Sequence, residues 1–175
     1  MQTPSAAQEI IPMLEQSRES LHAAAAGLSD QQASIRPAPD RWSVIEIIEH
    51  VARAEESFAK WLERAEVRDM PTVDREKEAT LAVQLADRSK KVEAPDVVKP
   101  QGKCADLASA LEYFDAARAH TIEFARSQGE HLYHLHTAHP RRGPVNGAEL
   151  LVIAAGHARR HAEQVREVIA AIAAR

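Results

Sequence analysis

The sequence predicts an all-α protein, a bundle of four amphipathic helices, on three observations. Aromatic residues are only 4% and glycines number six, which leaves few strand or hairpin signals, while 45% hydrophobic residues suffice for a packed core. Apolar residues recur with a period near 3.6 in four separate stretches. Two of those stretches open on a capping-box pattern, Ser43 with Glu46 and Asn146 with Glu149. At 175 residues the chain is expected to be one domain spanning 1–175.

The first helix is expected from Pro4 or Ser5 to Ala26, with Ile10, Ile11, Leu14 and Leu21 at helical spacing, Pro12 kinking or delaying it and Gly27 stopping it. Pro37 and Pro39 then forbid a continuous helix, and Ser29 is placed to cap a single turn. The second helix has the clearest start: Ser43 as N-cap, and Trp42 packing on Ile47 as a hydrophobic staple. Its stripe of Val44, Ile47, Ile48, Val51, Ala54, Phe58, Trp61, Leu62 and Ala65 predicts helix over 44–68, closed by Pro71. Residues 72–104 read as a polar excursion between helices two and three, with a short helix in DREKEATLAVQLADRSKK. A connection this long either covers a site or is simply mobile, and mobility is the default expectation. A third helix runs from Ala105 or Asp106 to Ser127–Gly129, carrying Leu107, Leu111, Phe114, Ile122 and Ala125. After the connector EHLYHLHTAHPRRGP, the fourth opens at Asn146 and continues to the C-terminus.

Composition removes several classes of function. One cysteine, Cys104, allows neither an internal disulfide nor a four-thiolate metal site, and fits a reducing cytoplasm. Twenty-two Lys and Arg against 26 Asp and Glu give a net charge of −4, so no nucleic-acid partner is expected. No stretch has the apolar length of a membrane span and the N-terminus lacks the pattern of a signal peptide, so the expectation is a cytoplasmic protein with no membrane partner.

Nine histidines are many for this length, and two interrupt a core-facing stripe. His157 and His161 lie about 40° apart on the helical wheel and about 6 Å apart along the axis, on the face of Leu150, Ala154, Val165 and Val168. A polar ring on a face that must be buried needs a partner, and two imidazoles at this spacing can direct nitrogens at one ion. The alternative, each ring at the bundle edge with one nitrogen in water, is weaker for a pair than for a lone histidine. HEXXH is absent, since Ala158 follows His157, so a zinc-protease reading lacks its general base. His50, at the border of the second helix's stripe, is the best candidate for a third ligand. Three imidazoles with further positions open describe a catalytic site suited to zinc, nickel, iron or copper.

These residues carry a family resemblance. RPAPDRWSVIEIIEHVARAEESF, followed at long range by HPRRGPVNGAELLVIAAGHARRHAEQVREV, is similar to the DinB superfamily, the DinB-like and YfiT-like metalloenzymes in particular. The resemblance rests on WS before an amphipathic helix with an internal His, on the His-Pro and Gly turn, and on HxxxH followed by Gln. It implies a four-helix bundle of DinB/YfiT-like topology, often a homodimer, with a divalent metal, zinc or nickel or alternatively iron, held by His50, His157 and His161. The polar excursion at 72–104 departs from the pattern.

The remaining histidines are expected to be structural. His131, His134, His136 and His139 fall in the connector, and His22 and His120 on helices without a partner at ligand spacing. Arg159 and Arg160 are expected to be solvated, and Glu46, Glu49 and Glu163 to point outward, leaving no side-chain base to assign. The functional expectation implied by the resemblance is a metal-dependent enzyme acting on a small-molecule substrate, a thiol-dependent S-transferase with a low-molecular-weight thiol such as bacillithiol or mycothiol as co-substrate. The alternatives are a metal-dependent hydrolase that uses activated water, and a non-catalytic metal-binding or dimerisation bundle.

Overall fold

The structure is a computed structural model that describes residues 6–174. Its four long helices are α1 (Ala6–Ala25), α3 (Val44–Glu63), α5 (Leu107–Gln128) and α6 (Gly147–Ala173), with a single turn α2 (Asp30–Ala33) and a shorter helix α4 (Arg75–Ala86) between them. The expected start of the first helix at Pro4 or Ser5 lies outside the described residues. Pro12 sits within α1 without ending it.

Local chemistry explains where the helices begin. Ser43 and Glu46 form the expected capping box, the Ser43 amide donating to Glu46 Oε2 at 2.8 Å, and Arg36 clamps the same carboxylate. Asn146 and Glu149 do the same at α6, as do Asp106 and Ser109 at α5 and Ser29 and Gln32 at α2. Each box satisfies amides that the first helical turn leaves without partners.

Helix ends are set by tertiary partners. The second bundle helix stops at Glu63, not at residue 68 as the periodicity predicts. Beyond Ala65 the chain has no further apolar residue at a stripe position to bury, and the backbone of Glu66–Val67 is taken up as strand β1. It pairs antiparallel with β2 (Leu135–His139), which forms a hairpin with β3 (Gly143–Asn146) in the register His136 to Asn146 and His139 to Gly143. Gly143, at φ 71°, supplies the left-handed residue that closes the hairpin. This small sheet is the one addition to the all-helical expectation, and it occupies the connector that reads as loop.

Around the bundle, α1 packs on α5 and α6, and α3 packs on the same two helices. Chain-consecutive bundle helices α1 and α3 therefore lie across the diagonal rather than side by side. That connectivity brings α3 against α6 although residues 64–146 separate them.

Two apolar clusters fill the interior. One includes Ile10, Leu14, Phe58, Leu62, Leu150 and Ile153, the other Leu21, Ile47, Val51, Phe114, Val165 and Val168. Where they meet, Arg118 and Glu55 form an ion pair with side chains 0% and 1% exposed. Arg118 Nε and Nη2 donate to the two Glu55 oxygens at 2.8 and 3.0 Å, and its remaining donors reach Ser17 Oγ and the carbonyls of Leu14 and Ala154. One guanidinium thus ties all four long helices together.

The excursion is seated on the bundle. Its helix α4 packs on α6, where Gly156 admits Leu85 so closely that a Cβ there would stand 2.7 Å from Leu85 Cδ1. From Asp87 to Gln101 the chain then crosses the α3–α6 side as a strap, with one 3-10 turn at Asp96–Val98.

Candidate metal centre

Two capping boxes fix the phase of the helices that matter here. Started at Ser43, α3 turns Ile47, Ile48 and Val51 into the core and leaves His50 on the flank facing α6. Started at Asn146, α6 buries Leu150, Ala154, Ala158 and Val165, with His157 and His161 on the flank facing α3. The structure brings the three sequence-predicted residues together: one ring nitrogen from each of His50, His157 and His161 lies within 4.8 Å of the others. His161 Nε2 stands 3.2 Å from His50 Nε2 and 3.1 Å from His157 Nε2.

Hydrogen bonds determine what those nitrogens offer. His50 Nδ1 donates to the Val98 carbonyl at 2.9 Å, and His161 Nδ1 donates to Gln164 Oε1 at 2.6 Å. A carbonyl oxygen only accepts, so in the neutral rings the proton is on Nδ1 and each Nε2 presents a bare lone pair. Protonation does not relieve that contact near neutral pH. Burial lowers the His50 pKa to about 4, with Arg53 adding to the effect. Burial also holds His157 and His161 well below the usual imidazole range, helped by each other's company, by Arg118 and Arg160 for His157, and by Arg88 and Arg160 for His161.

Lone pairs facing one another at 3.2 Å repel unless a cation joins them. Nitrogens about 2.0–2.1 Å from a shared ion at tetrahedral angles stand roughly 3.3 Å apart, so the donor set fits a divalent transition metal. His50 is 4% exposed, and His157 keeps partial exposure, so a position on that side faces outward. Trp42 packs on His50 with ring centroids 4.9 Å apart, and Phe58 meets His157 edge-on at 5.8 Å.

Several residues around the site differ from the sequence expectation. Glu49 does not point outward: it is fully buried and accepts the backbone amides of Gln101, Gly102 and Lys103 at 2.7, 3.1 and 3.2 Å. Neighbouring residues His50 and Glu49 thus hold the two ends of the strap's last turn. Arg160 is not solvated either, since it donates to the carbonyls of Asp87 and Lys90. Glu163 is exposed and paired with Arg166, and Glu46 serves its capping box.

Among the described residues the other histidines are not part of this cluster, and His136 Nε2 in β2 is buried without a hydrogen-bond partner. His22 bonds Asp115 and His120 bonds Glu63, both at 2.8 Å. His131 and His134 stack on each other, and His139 lies against Trp61 and Phe58. Burial and the neighbouring Glu49 and Asp106 raise the Cys104 pKa, which keeps its thiol protonated.

Sequence reasoning missed the Arg118–Glu55 pair, for which a signal exists. Glu55 stands four residues after Val51 and three before Phe58, and Arg118 stands four from both Phe114 and Ile122, so each charge falls on an apolar stripe. No local pattern marks Val98 or Gln101–Lys103, whose roles depend on the path of the strap.

A helical bundle with three imidazoles converging from two non-consecutive helices defines a class of metal-binding α proteins. The chain belongs to the DinB superfamily, whose family model matches residues 13–165. It is 23% identical to YuaE of Bacillus subtilis (strain 168) over 142 residues, 81% of this chain and 86% of that protein. Among solved structures it resembles a conserved protein of Enterococcus faecalis at a TM-score of 0.65 and 18% identity, covering 96% of this chain and 97% of that one. It also resembles TT2238, described as a four-helix bundle protein, at 0.61 and 21%, covering 92% and 98%. YfiT from Bacillus subtilis, described as a probable metal-dependent hydrolase with an unusual four-helix bundle topology, matches at 0.62 and 14%, covering 95% and 87%. These likenesses establish the fold and its connectivity.

Proposed function

We propose that the protein is a metal-dependent enzyme in which His50, His157 and His161 hold a divalent zinc, nickel or iron ion, and that it transfers a small thiol to an electrophilic substrate. A divalent ion held by neutral imidazoles lowers the pKa of a bound thiol or water and so supplies a nucleophile near neutral pH. The chain's own contribution is to keep all three rings neutral by burial, and to fix two of them through Val98 and Gln164.

The observation that carries the thiol reading is that no carboxylate among the described residues hydrogen-bonds any of the three rings. Glu49 adjoins His50 in sequence, yet its oxygens accept three backbone amides of the strap. Water bound to the ion has to give up a proton with no side-chain base assigned to take it, whereas a thiol is the more acidic of the two and is the readier nucleophile at such a site. The hydrolase reading draws on the description of YfiT and uses the same three histidines.

Turnover of an electrophilic aromatic or epoxide test substrate by metal-loaded protein, with and without added thiol, separates the two. The S-transfer reading expects product only with thiol, and loss of turnover in His157→Ala. Turnover of the same substrate without thiol, to the phenol or the diol, instead establishes attack by water.

A further inference from the structure

Eight of the described arginines pair with carboxylates, Arg88 of the strap with Glu167 of α6 among them, but Arg53, Arg141 and Arg160, which also hold the strap, and Arg142, which holds α4, do not. Arg160 of α6 holds the carbonyls of Asp87 and Lys90. Arg142 of the hairpin loop donates to Gln84 Oε1 at 2.7 Å, and Arg141 to the Glu93 carbonyl. Arg53 of α3 reaches the Val97 carbonyl at 2.7 Å and Gln101 Oε1 at 3.1 Å, and its Nε is buried without a partner. Every acceptor is neutral, and all lie between residues 84 and 101.

The carboxylates of that same segment are engaged elsewhere. Asp87 accepts from the Ser89 amide, while Glu93 and Asp96 flank Lys99. Glu167, near Arg160, is held by both forks of Arg88, and Glu56 of α3 takes the Tyr113 hydroxyl. Asp87 and Glu167 act electrostatically on Arg160, but neither forms an ion pair with it, and Arg53, Arg141 and Arg142 likewise make no ion pair among the described residues. Burial lowers the pKa of Arg142 and of Arg160, and Arg88 and Arg142 add to the effect at Arg160 while Asp87 and Glu167 oppose it.

The arrangement surrounds the three histidines. Arg160 lies between His157 and His161 in sequence and acts electrostatically on both. Arg141 and Arg142 act on His139, whose ring lies 6.2 Å from that of Phe58, which in turn meets His157. Arg53 acts on His50 from the other side.

We propose that these four arginines form an oxyanion-binding rim, and that the substrate or co-substrate of the three-histidine site is a small molecule bearing a carboxylate or phosphate group. Guanidinium forks match such groups in a bidentate fashion, and a charged acceptor displaces the neutral carbonyls that hold the forks in its absence. Arg160 is the principal contact, because it lies between His157 and His161 on α6, and Arg142 extends the rim from the hairpin loop. Gln84 of α4 and the strap's residues 87–101 exchange partners as the anion enters. This inference rests on the reading of the three-histidine site as the place of reaction.

The test is calorimetric titration of metal-loaded protein at low ionic strength with succinate, with inorganic phosphate and with succinamide as the neutral counterpart of succinate. At least one anion is expected to bind saturably, and succinamide at least about 10-fold more weakly than succinate. Arg142→Gln and Arg160→Gln are each expected to weaken the anion by about 10-fold, and Arg142→Lys by less. Arg166→Gln, which removes an arginine paired with Glu163, is expected to change nothing. Unfolding midpoints of the variants identify any that have lost the fold, and Arg142→Lys supplies the comparison if Arg160→Gln does so. Repeating the titration in His157→Ala separates this inference from the metal reading: the ratio between the parent and Arg142→Gln persists there even if no metal is taken up. Absence of saturable binding by both anions, equal binding of succinamide, or an equal effect of Arg166→Gln overturns the proposal.

Discussion

His50 shows how the site's chemistry is written into the stability of the metal-free protein. Its folded pKa, about 4, lies below the ordinary value of 6.5 because burial disfavours the imidazolium. Between those two values the unfolded chain takes up a proton that the folded chain refuses, so stability is full above pH 6.5 and falls as the pH drops toward 4. For His50 alone the loss approaches about 3 kcal/mol, and His157 and His161 act in the same direction. Urea unfolding of metal-free protein at pH 7 and pH 4.5 measures it, and a midpoint unchanged between them contradicts the buried neutral rings. Arg118 offers a second residue-scale prediction. Arg118→Met leaves Glu55 buried without its partner and is expected to cost about 3–5 kcal/mol, whereas Arg118→Met with Glu55→Leu recovers most of the loss. Equal losses in the single and double variants are the result inconsistent with an uncompensated carboxylate.

At the scale of elements, the contact between α4 and α6 determines where the strap lies. A methyl group at Gly156 would meet Leu85 Cβ at 2.8 Å, too close for adjustment of the side-chain tip alone. Gly156→Ala is therefore expected to push α4 outward, costing about 1–3 kcal/mol by overpacking against a helix-propensity gain of about 1 kcal/mol. Hydrogen exchange should accelerate across residues 75–101 while α1 and α5 keep their protection, and unchanged exchange in that segment contradicts the account. The starts of α3 and α6 were legible because a cap involves residues three apart. The end of α3 was not, because Glu66–Val67 are drawn into pairing with Leu135–His136, almost seventy residues on. For the same reason β2 and β3 escaped notice: the alternation in LHTAH is short, and its histidines, half-buried in the sheet, look in sequence like solvated loop. The strap's order was invisible as well, since it depends on Glu49, His50 and arginines from three other elements.

For the whole molecule, the diagonal order of the bundle helices is what makes the site. Side-by-side packing of α3 and α6 joins His50 to His161 across 111 positions of sequence. Periodicity identified the faces that carry these histidines, and the family resemblance supplied the connectivity that makes them meet. No helix among the described residues is long and apolar enough to cross a membrane. The buried pair of Arg118 and Glu55 ties the same helices together, and Arg118 acts electrostatically on His157. If His50, His157 and His161 hold a metal, removing any one of them removes the ion without unfolding the bundle, because Arg118 and the two apolar clusters remain. The most direct measurement is elemental analysis of untagged protein purified without a metal column, beside His50→Ala and His157→Ala, with the folding of each followed by circular dichroism. The account predicts close to one transition-metal ion per chain in the parent and none in either folded variant. A parent that carries no metal and takes up none when zinc, nickel or iron is supplied contradicts it.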